Sequence, residues 1–408
     1  MKHKITVIGA GAAGVFFAIN IKRMCSEADV TILEAGSRPM AKLAVTGGGR
    51  CNFTNNFENI KSLAEVYPRG AQLMKRALCE FSHDDCRHWF EDEGIPSIVQ
   101  SDGCVFPASQ DAMQIVRYFE NEIRRLGITL LTGEKVESIK PDENGGFIIT
   151  TGKKTHRADT VLVASGGGAT KILRDLDIAT TPCVPSLFTF KIEDPQLTAL
   201  MGITVQDCSL RLCGTSFRST GTLLITDWGV SGPATLKLSS YAATFLAENS
   251  YKATLAVNWI NCGTREALDL CESLREGNRA KCAGNARPRE ISARLWSLIL
   301  SRSGIDENSR WDSVGSKALS RLAEHLTNDC YPISGRAKFK EEFVTCGGVS
   351  LKEVAPSTLE SRKYPGLYFA GEVLDIDAVT GGFNLQTAWS CAYLVSKSIF
   401  SKFASYYK

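Results

Sequence analysis

The sequence predicts an α/β protein whose parallel sheet takes strands from both chain ends, with a mainly β domain and a small helical one inserted between them. Three observations predict this. A short apolar strand, Ile5-Thr6-Val7-Ile8, runs directly into the pattern Gly9-x-Gly11-x-x-Gly14. Buried-strand patterns return at Thr160–Ala164 and Gly366–Ala370, each ending at glycine. Between them, strand-like runs from Cys183 to Ile260 give way to a polar, helix-patterned stretch at 264–330.

Composition sets the bounds. At 408 residues the chain is too long for one ordinary core, so two or three domains are expected. Hydrophobic content of 44% and charged content of 22% are those of a water-soluble globular chain. A formal charge of +3 is too slight to argue for nucleic acid or an anionic membrane surface, so neither is expected as a partner. No apolar run is long enough to span a bilayer, and the first apolar residues already belong to a strand, which argues against a signal peptide. The 14 Cys are scattered, without C-x-x-C or pairing with the 5 His, so no metal site is expected and a reducing cytoplasm fits best.

The opening unit carries a dinucleotide fingerprint. Ala13–Met24 reads as an amphipathic helix and Val30–Leu33 as the next strand, ending at Glu34. Gly9 permits a tight turn, Gly11 lets backbone approach a pyrophosphate, and Gly14 lets helix and strand pack closely. The helix N-terminus offers free N–H groups to phosphate, and the Glu34 carboxylate can accept from both ribose hydroxyls. This combination predicts a Rossmann-like domain binding an adenine dinucleotide. Ala10, Ala12 and Ala13 between the glycines, with Ala35 and Lys42 beyond Glu34, are expected contacts.

Next comes Thr46-Gly47-Gly48-Gly49-Arg50-Cys51-Asn52-Phe53-Thr54-Asn55. Three consecutive glycines are costly in backbone entropy and fit a chain lying flat against a ligand. Gly48, Gly49, Arg50, Cys51 and Asn52 are therefore candidates, Arg50 for phosphate and Asn52 for an amide-like ring edge. An Asn-rich helix-entry loop without a ligand is the alternative. Residues 60–95 read as mainly helical, Ile98–Phe106 as a hairpin turning at Ser101-Asp102-Gly103, and Gln110–Leu126 as a helix. Strands follow at Ile128–Leu131, Val136–Ile139 and Phe147–Thr150. The strand Thr160–Ala164 runs into Ser165-Gly166-Gly167-Gly168, which makes Ala164, Ser165 and Gly166 a second close approach to the ligand.

The inserted segment reads as strands at Leu187–Ile192, Cys208–Leu212, Thr222–Thr226 and Ala253–Trp259. Ser231-Gly232-Pro233 opens one helix, Ala234–Leu246. The chain then returns from Phe343 and ends in a helix from Leu385 to about Phe400. Before that helix lie Gly371-Glu372, Asp375, Asp377 and Gly381-Gly382-Phe383-Asn384-Leu385. A carboxylate at a strand end, Glu372, can bind ribityl hydroxyls, which FAD has and NAD lacks. A glycine-led helix N-terminus suits the flavin N1/C2=O edge, where negative charge develops on reduction. FAD is thus the expected cofactor, with Gly371, Glu372, Asp375 and Gly381–Leu385 on its C-terminal side.

On Gly47–Asn55, Ser231-Gly232-Pro233-Ala234, Gly347-Gly348-Val349 and Gly366–Gln386, the sequence resembles the BaiN/RdsA-like family of NAD(P)/FAD-dependent oxidoreductases over essentially its whole length. The resemblance implies a glutathione-reductase-like FAD domain at 1–182 and 343–408. It also implies a β-rich substrate domain at 183–262 and 331–342, and a helical insertion at 263–330. It further implies that the Val136 backbone touches adenine and that Gly48–Asn52 and Gly382–Leu385 border the flavin. Two departures stand out. Gly168-Ala169-Thr170 runs straight into a helix where the family carries a longer glycine-rich segment, and Thr226-Asp227 stands where Thr-His is common.

Three chemistries compete. A disulfide reductase needs two redox Cys at the flavin, whereas Cys51 is alone and Cys208-x4-Cys213 lies in the β segment. A two-Rossmann dehydrogenase needs a second fingerprint, absent between Thr150 and Thr345. The expectation is an FAD-dependent oxidoreductase acting on a small organic substrate between its domains, with NAD(P)H binding transiently as donor. The catalytic group is the flavin itself; Cys51, beside Arg50, and Asn52 are the protein candidates, with a small packing residue the favoured reading of Cys51. The competing class is an FAD-binding redox sensor with a partner as its output. Substrate, nicotinamide preference and oligomeric state are left open.

Overall fold

Ile5, Val7 and Ile8 are buried together with Thr6, so strand β1 (Lys4–Ile8) is covered on both faces, as parallel strands are. The computed structural model describes residues 2–168, 170–337 and 344–406. The sheet consists of β1, β2 (Asp29–Leu33), β3 (Thr129–Leu131), β4 (Thr160–Val163) and β5 (Leu367–Phe369). Its order is β5-β4-β1-β2-β3, and every pair is parallel. The chain steps outward from β1 to β3 on one side and adds β4 and β5 on the other. The order therefore reverses between β1 and β4, the switch point at which open α/β sheets bind ligands.

Helix α1 (Ala12–Met24) is buried from Ala13 to Ile21, because the C-terminal helix covers it. Phe16 lies 5.2 Å from Trp389, and both side chains are fully buried. Burial of each large ring contributes about 2–3 kcal/mol. Arg23, in the last turn of α1, pairs with Glu93 and Glu122 at 2.6 Å each. Arg125 and then Arg23 hold the Glu122 carboxyl down at about 2. The expected hairpin forms from Ser97–Val99 and Cys104–Pro107, with Thr54–Asn55 added on its far side.

The chain divides into two compact units, Met1–Val184 with Val344–Lys408, and Pro185–Phe343. In the second unit the strands close into a barrel in the order Phe190–Ile192, Gly229–Ser231, Arg218–Thr226, Thr204–Leu212, Ala253–Asn258, Asp329–Arg336. Closure comes from Asp329–Arg336 pairing back onto Phe190–Ile192. The helices expected as a separate insertion, Thr264–Gly277, Ala293–Arg302 and Ser316–Thr327, share one hydrophobic core with the barrel. Trp296, Ile299 and Leu322 belong to the same cluster as Leu255, Val257 and Tyr331. At its centre the buried Asp329 accepts from Trp259 Nε1 at 3.1 Å and Tyr331 OH at 2.5 Å, with Arg302 Nε 3.0 Å from its other oxygen.

The single helix expected at Ala234–Leu246 is two, Pro233–Tyr241 and Ala243–Glu248, because Ala242 leaves helical geometry. The C-terminal helix, α2 (Phe383–Tyr406), starts two residues earlier than expected and runs longer. Ala169 and the domain boundary expected at 342/343 lie outside the described residues.

Candidate active site

Strand ends β1, β2, β4 and β5 bring the expected residues to one edge of the sheet, and the three fingerprint glycines have three separate reasons to be glycine. Gly9 has φ +103°, and a Cβ there would lie 2.6 Å from the Ala164 carbonyl oxygen, so it lets β1 and β4 end against each other. A Cβ on Gly14 would lie 2.0 Å from the Gly9 carbonyl oxygen. A Cβ on Gly11 would meet nothing within 4 Å. The space in front of Gly11 is therefore open at the N-terminus of α1, where no side chain caps the helix and the first amides lack intrahelical partners.

Glu34 ends β2 with both carboxylate oxygens already accepting backbone amides, Ala10 N at 2.8 Å and Gly36 N at 2.6 Å. Those bonds hold the carboxylate beside the fingerprint turn with lone pairs to spare for a ribose. Ala35 is exposed, and Glu134 N donates to the Glu34 carbonyl at 2.8 Å, which sets the start of the Val136–Pro141 strand beside the end of β2. The Val136 side chain is buried. Ser165, just past β4, has a buried hydroxyl with no hydrogen-bond partner among the described residues. After β5, Glu372 accepts from Thr345 N at 2.7 Å and lies 3.5 Å from Lys42 Nζ. A Cβ on Gly166 would come within 3.2 Å of that carboxylate. Asp375 accepts from Thr181 Oγ1 at 2.7 Å, and its second oxygen is buried and unpartnered among the described residues.

In the triple-glycine loop, Cβ atoms on Gly48 and Gly49 would meet nothing within 4 Å, so this backbone is bare on its open side. Arg50 does not reach toward the turn at Gly9–Gly14. Its guanidinium stacks 4.3 Å over Phe106, and its Nε donates to the Gly47 carbonyl at 3.2 Å. Cys51 departs from its candidacy as a reacting group: it is fully buried, and burial pushes its thiol up to about 12. Asn52 keeps its candidacy, because its Oδ1 is buried with no partner among the described residues. In the barrel, Cys208 is buried inside and its thiol is pushed up to about 12, which removes a redox pair with Cys213. Asp227 is exposed on the turn after Thr226, and the neighbouring Trp228 Nε1 donates to Thr189 Oγ1 at 3.2 Å.

The turn before α2 is held by side chains to which the sequence reading gave no such structural role. Asn55 Nδ2 donates to the Gly381 carbonyl at 3.0 Å, and Tyr67 OH donates to the Phe383 carbonyl at 3.1 Å. Asn384 exchanges two 2.9 Å bonds with the Ala378 backbone. Thr54 Oγ1 donates to the buried Gln386 Oε1 at 2.5 Å, and Arg69 forms a bidentate pair with the fully buried Asp377. Asn384 was expected at the cofactor, but both ends of its side chain are taken by the turn itself; Gln386 and Asp377 carried a signal only as polar residues inside an otherwise glycine-rich, apolar segment. A Cβ on Gly382 would lie 2.2 Å from the Thr54 carbonyl oxygen, with φ at +90°, so packing alone requires that glycine.

The residues present fit FAD. Bare backbone at Gly11, Gly48 and Gly49, a carboxylate at the ends of β2 and β5, and unpartnered buried atoms on Ser165 and Asn52 are what a long dinucleotide with several hydroxyls and a ring would complete. Among the described residues no helix is long and apolar enough to cross a membrane.

A family model described as HI0933-like protein Rossmann domain matches residues 3–398. A protein named ribosomal RNA dihydrouridine synthase from Haemophilus influenzae is 29% identical over 413 residues, covering 96% of this chain and 97% of that one. A 3-dehydro-bile acid delta(4,6)-reductase from Clostridium scindens is 28% identical over 418 residues, covering 97% and 98%. Among solved structures, the 3-ketosteroid-delta4-(5alpha)-dehydrogenase of Rhodococcus jostii RHA1 superposes with a TM-score of 0.51 at 15% identity, covering 98% and 97%. That likeness supports the fold alone, a Rossmann-type domain with an insert. Two curated relatives are named for a ribosomal RNA substrate, so the expectation from net charge of no nucleic-acid partner does not carry.

Proposed function

Because the chain belongs to the HI0933-like family of FAD-dependent reductases, we propose that it reduces a carbon–carbon double bond conjugated with a carbonyl, with NAD(P)H binding transiently as the donor. The observation that carries the reading is the bare, uncapped cradle at the β1/β4 switch point, where the Gly11 backbone faces open space at the helix N-terminus. The reaction class comes from the relatives, since a dihydrouridine synthase and a delta(4,6)-reductase share hydrogen addition across such a bond. The sequence carries no second fingerprint to hold a nicotinamide permanently, and the buried thiols at Cys51 and Cys208 give no dithiol route.

FAD, when bound, supplies the hydride chemistry. The protein's part is to bind and orient. The α1 amides meet the pyrophosphate, Glu34 the ribose and Glu372 the ribityl chain. The amides opening α2 stabilise negative charge at one ring edge. The redox-sensor alternative has no observation in its favour.

One observation favours RNA as the carrier of the reducible ring. Arg279, Lys281, Arg287 and Arg289 are exposed on one inter-helix segment, and none has an acidic partner among the described residues. The test is anaerobic photoreduction followed by mixing with a panel of cyclic enones and with unmodified ribosomal RNA. Flavin reoxidation accompanied by a product two hydrogens heavier supports the proposal, and the arm that responds names the substrate class. Reoxidation by oxygen or disulfides alone contradicts it.

A further inference from the structure

Arg50 is an exposed cation held in one posture by three restraints. Its guanidinium lies 4.3 Å over the buried Phe106 ring, its Nε donates to the Gly47 carbonyl at 3.2 Å, and its Nη1 donates to Gln110 Oε1 at 3.3 Å. Gln110 is itself fixed. Its Nε2 donates to the Pro107 carbonyl at 3.2 Å, which leaves Oε1 for the guanidinium, and its backbone sits at φ +54°, uncommon for a residue with a side chain. None of these partners carries a negative charge. Among the described residues Arg50 pairs with no carboxylate, whereas Arg23, Arg69, Arg117, Arg125 and Arg157 of the same unit all do. A surface arginine ordinarily keeps its rotamer freedom. Fixing it without a counter-charge presents the Nη2 edge of a planar fork, the shape that matches a phosphate.

We propose that Arg50 grips a phosphate of the molecule that reacts with the flavin, the pyrophosphate of NAD(P)H or a backbone phosphate of an RNA substrate. The phosphate is not that of FAD. Both phosphates of the cofactor are met by the α1 amides, and Arg50 is committed to Gly47, Phe106 and Gln110 instead. The ring end of FAD carries no phosphate of its own. Two residues beyond Arg50, Asn52 Oδ1 would lie 2.8 Å from a Cβ built on Gly382, so the loop has its inner end at the turn opening α2 and its guanidinium at the solvent side. An oxyanion met there belongs to a second molecule. With no second fingerprint to hold a nucleotide, a fixed guanidinium is a contact that a transient partner can use. The assignment rests on the function proposed above.

Stopped-flow reduction of the holo-protein by NADH, by NADPH and by 1-benzyl-1,4-dihydronicotinamide, which has no phosphate, tests the first source. Reoxidation of photoreduced holo-protein by ribosomal RNA and by cyclic enones, which also lack phosphate, tests the second. Arg50→Gln removes the charge and keeps a polar side chain. It should lower the preference for the phosphate-bearing partner about tenfold, the size of one charge-assisted contact, and the arm that shows the loss names the source. Arg50→Lys, a cation without the planar fork, should recover part of that preference. An unchanged preference in Arg50→Gln, or an equal loss with phosphate-bearing and phosphate-free partners, overturns the assignment. Release of FAD from Arg50→Gln overturns it too, since the guanidinium would then serve the cofactor. Should Arg50→Gln fail to fold, Arg50→Lys decides, and a preference equal to wild type there overturns the assignment. Wild type that reacts with none of these partners contradicts the proposed function itself, so the two failures are distinguishable.

Discussion

Gly11 and Gly382 look alike in the sequence, each a glycine opening a helix at the end of a strand-turn unit, yet they are glycine for opposite reasons. In front of Gly11 a side chain would meet nothing within 4 Å, whereas at Gly382 it would strike the Thr54 carbonyl oxygen at 2.2 Å. The first glycine keeps space empty for a ligand. The second lets the chain close on itself. A glycine in sequence therefore reports a close approach without saying what approaches, and only the surrounding backbone separates the two.

The largest effect expected from this contrast is at the packed glycines. Gly382→Val places a β-branched residue at φ +90° against a carbonyl and should cost about 3 kcal/mol or more, lowering the Tm of apo-protein. Gly14→Val should behave the same way, with its Cβ 2.0 Å from the Gly9 carbonyl oxygen. If Gly382→Val instead folds with an unchanged Tm and a shifted flavin potential, the contrast between the two glycines fails. Gly11→Val should leave apo stability within a few degrees and reduce FAD affinity about a hundredfold, since only ligand space is filled. Calorimetric titration of the variant measures this directly.

Glu34→Arg sits between the two cases. It removes the ribose acceptor, on the order of 3 kcal/mol of FAD binding, and frees two backbone amides that the carboxylate now satisfies. Both FAD retention and apo Tm should fall, with retention falling more. Unchanged FAD content after dialysis would remove Glu34 from the site. The smallest effect belongs to Gly277→Val, where a Cβ meets nothing and the nearest elements belong to the barrel unit. Flavin content and potential should both match wild type.

Much of this was legible because it is local. The strand–glycine–helix–strand order, the hairpin through Ser101-Asp102-Gly103 and the strand ends at Ala164 and Gly371 all follow from short-range pattern. Barrel closure was not legible, since Phe190 pairs with Arg336 across most of the second unit. Nor was the common core of barrel and helices, because helical periodicity shows that a face is buried and not what buries it. The loop residues Arg50 and Cys51 show the limit most plainly. Adjacent in sequence, the two side chains diverge, Arg50 outward onto Phe106 and Cys51 into the core as a small packing residue.

The central claim is that the β1/β4 switch point holds FAD through the space in front of Gly11. Mass spectrometry of the cofactor released by heat from purified wild type and Gly11→Val, scaled to protein, tests it most directly. The account predicts one FAD per wild-type chain and little or none from a folded Gly11→Val. FMN from wild type, or a full complement of FAD from Gly11→Val, would contradict it.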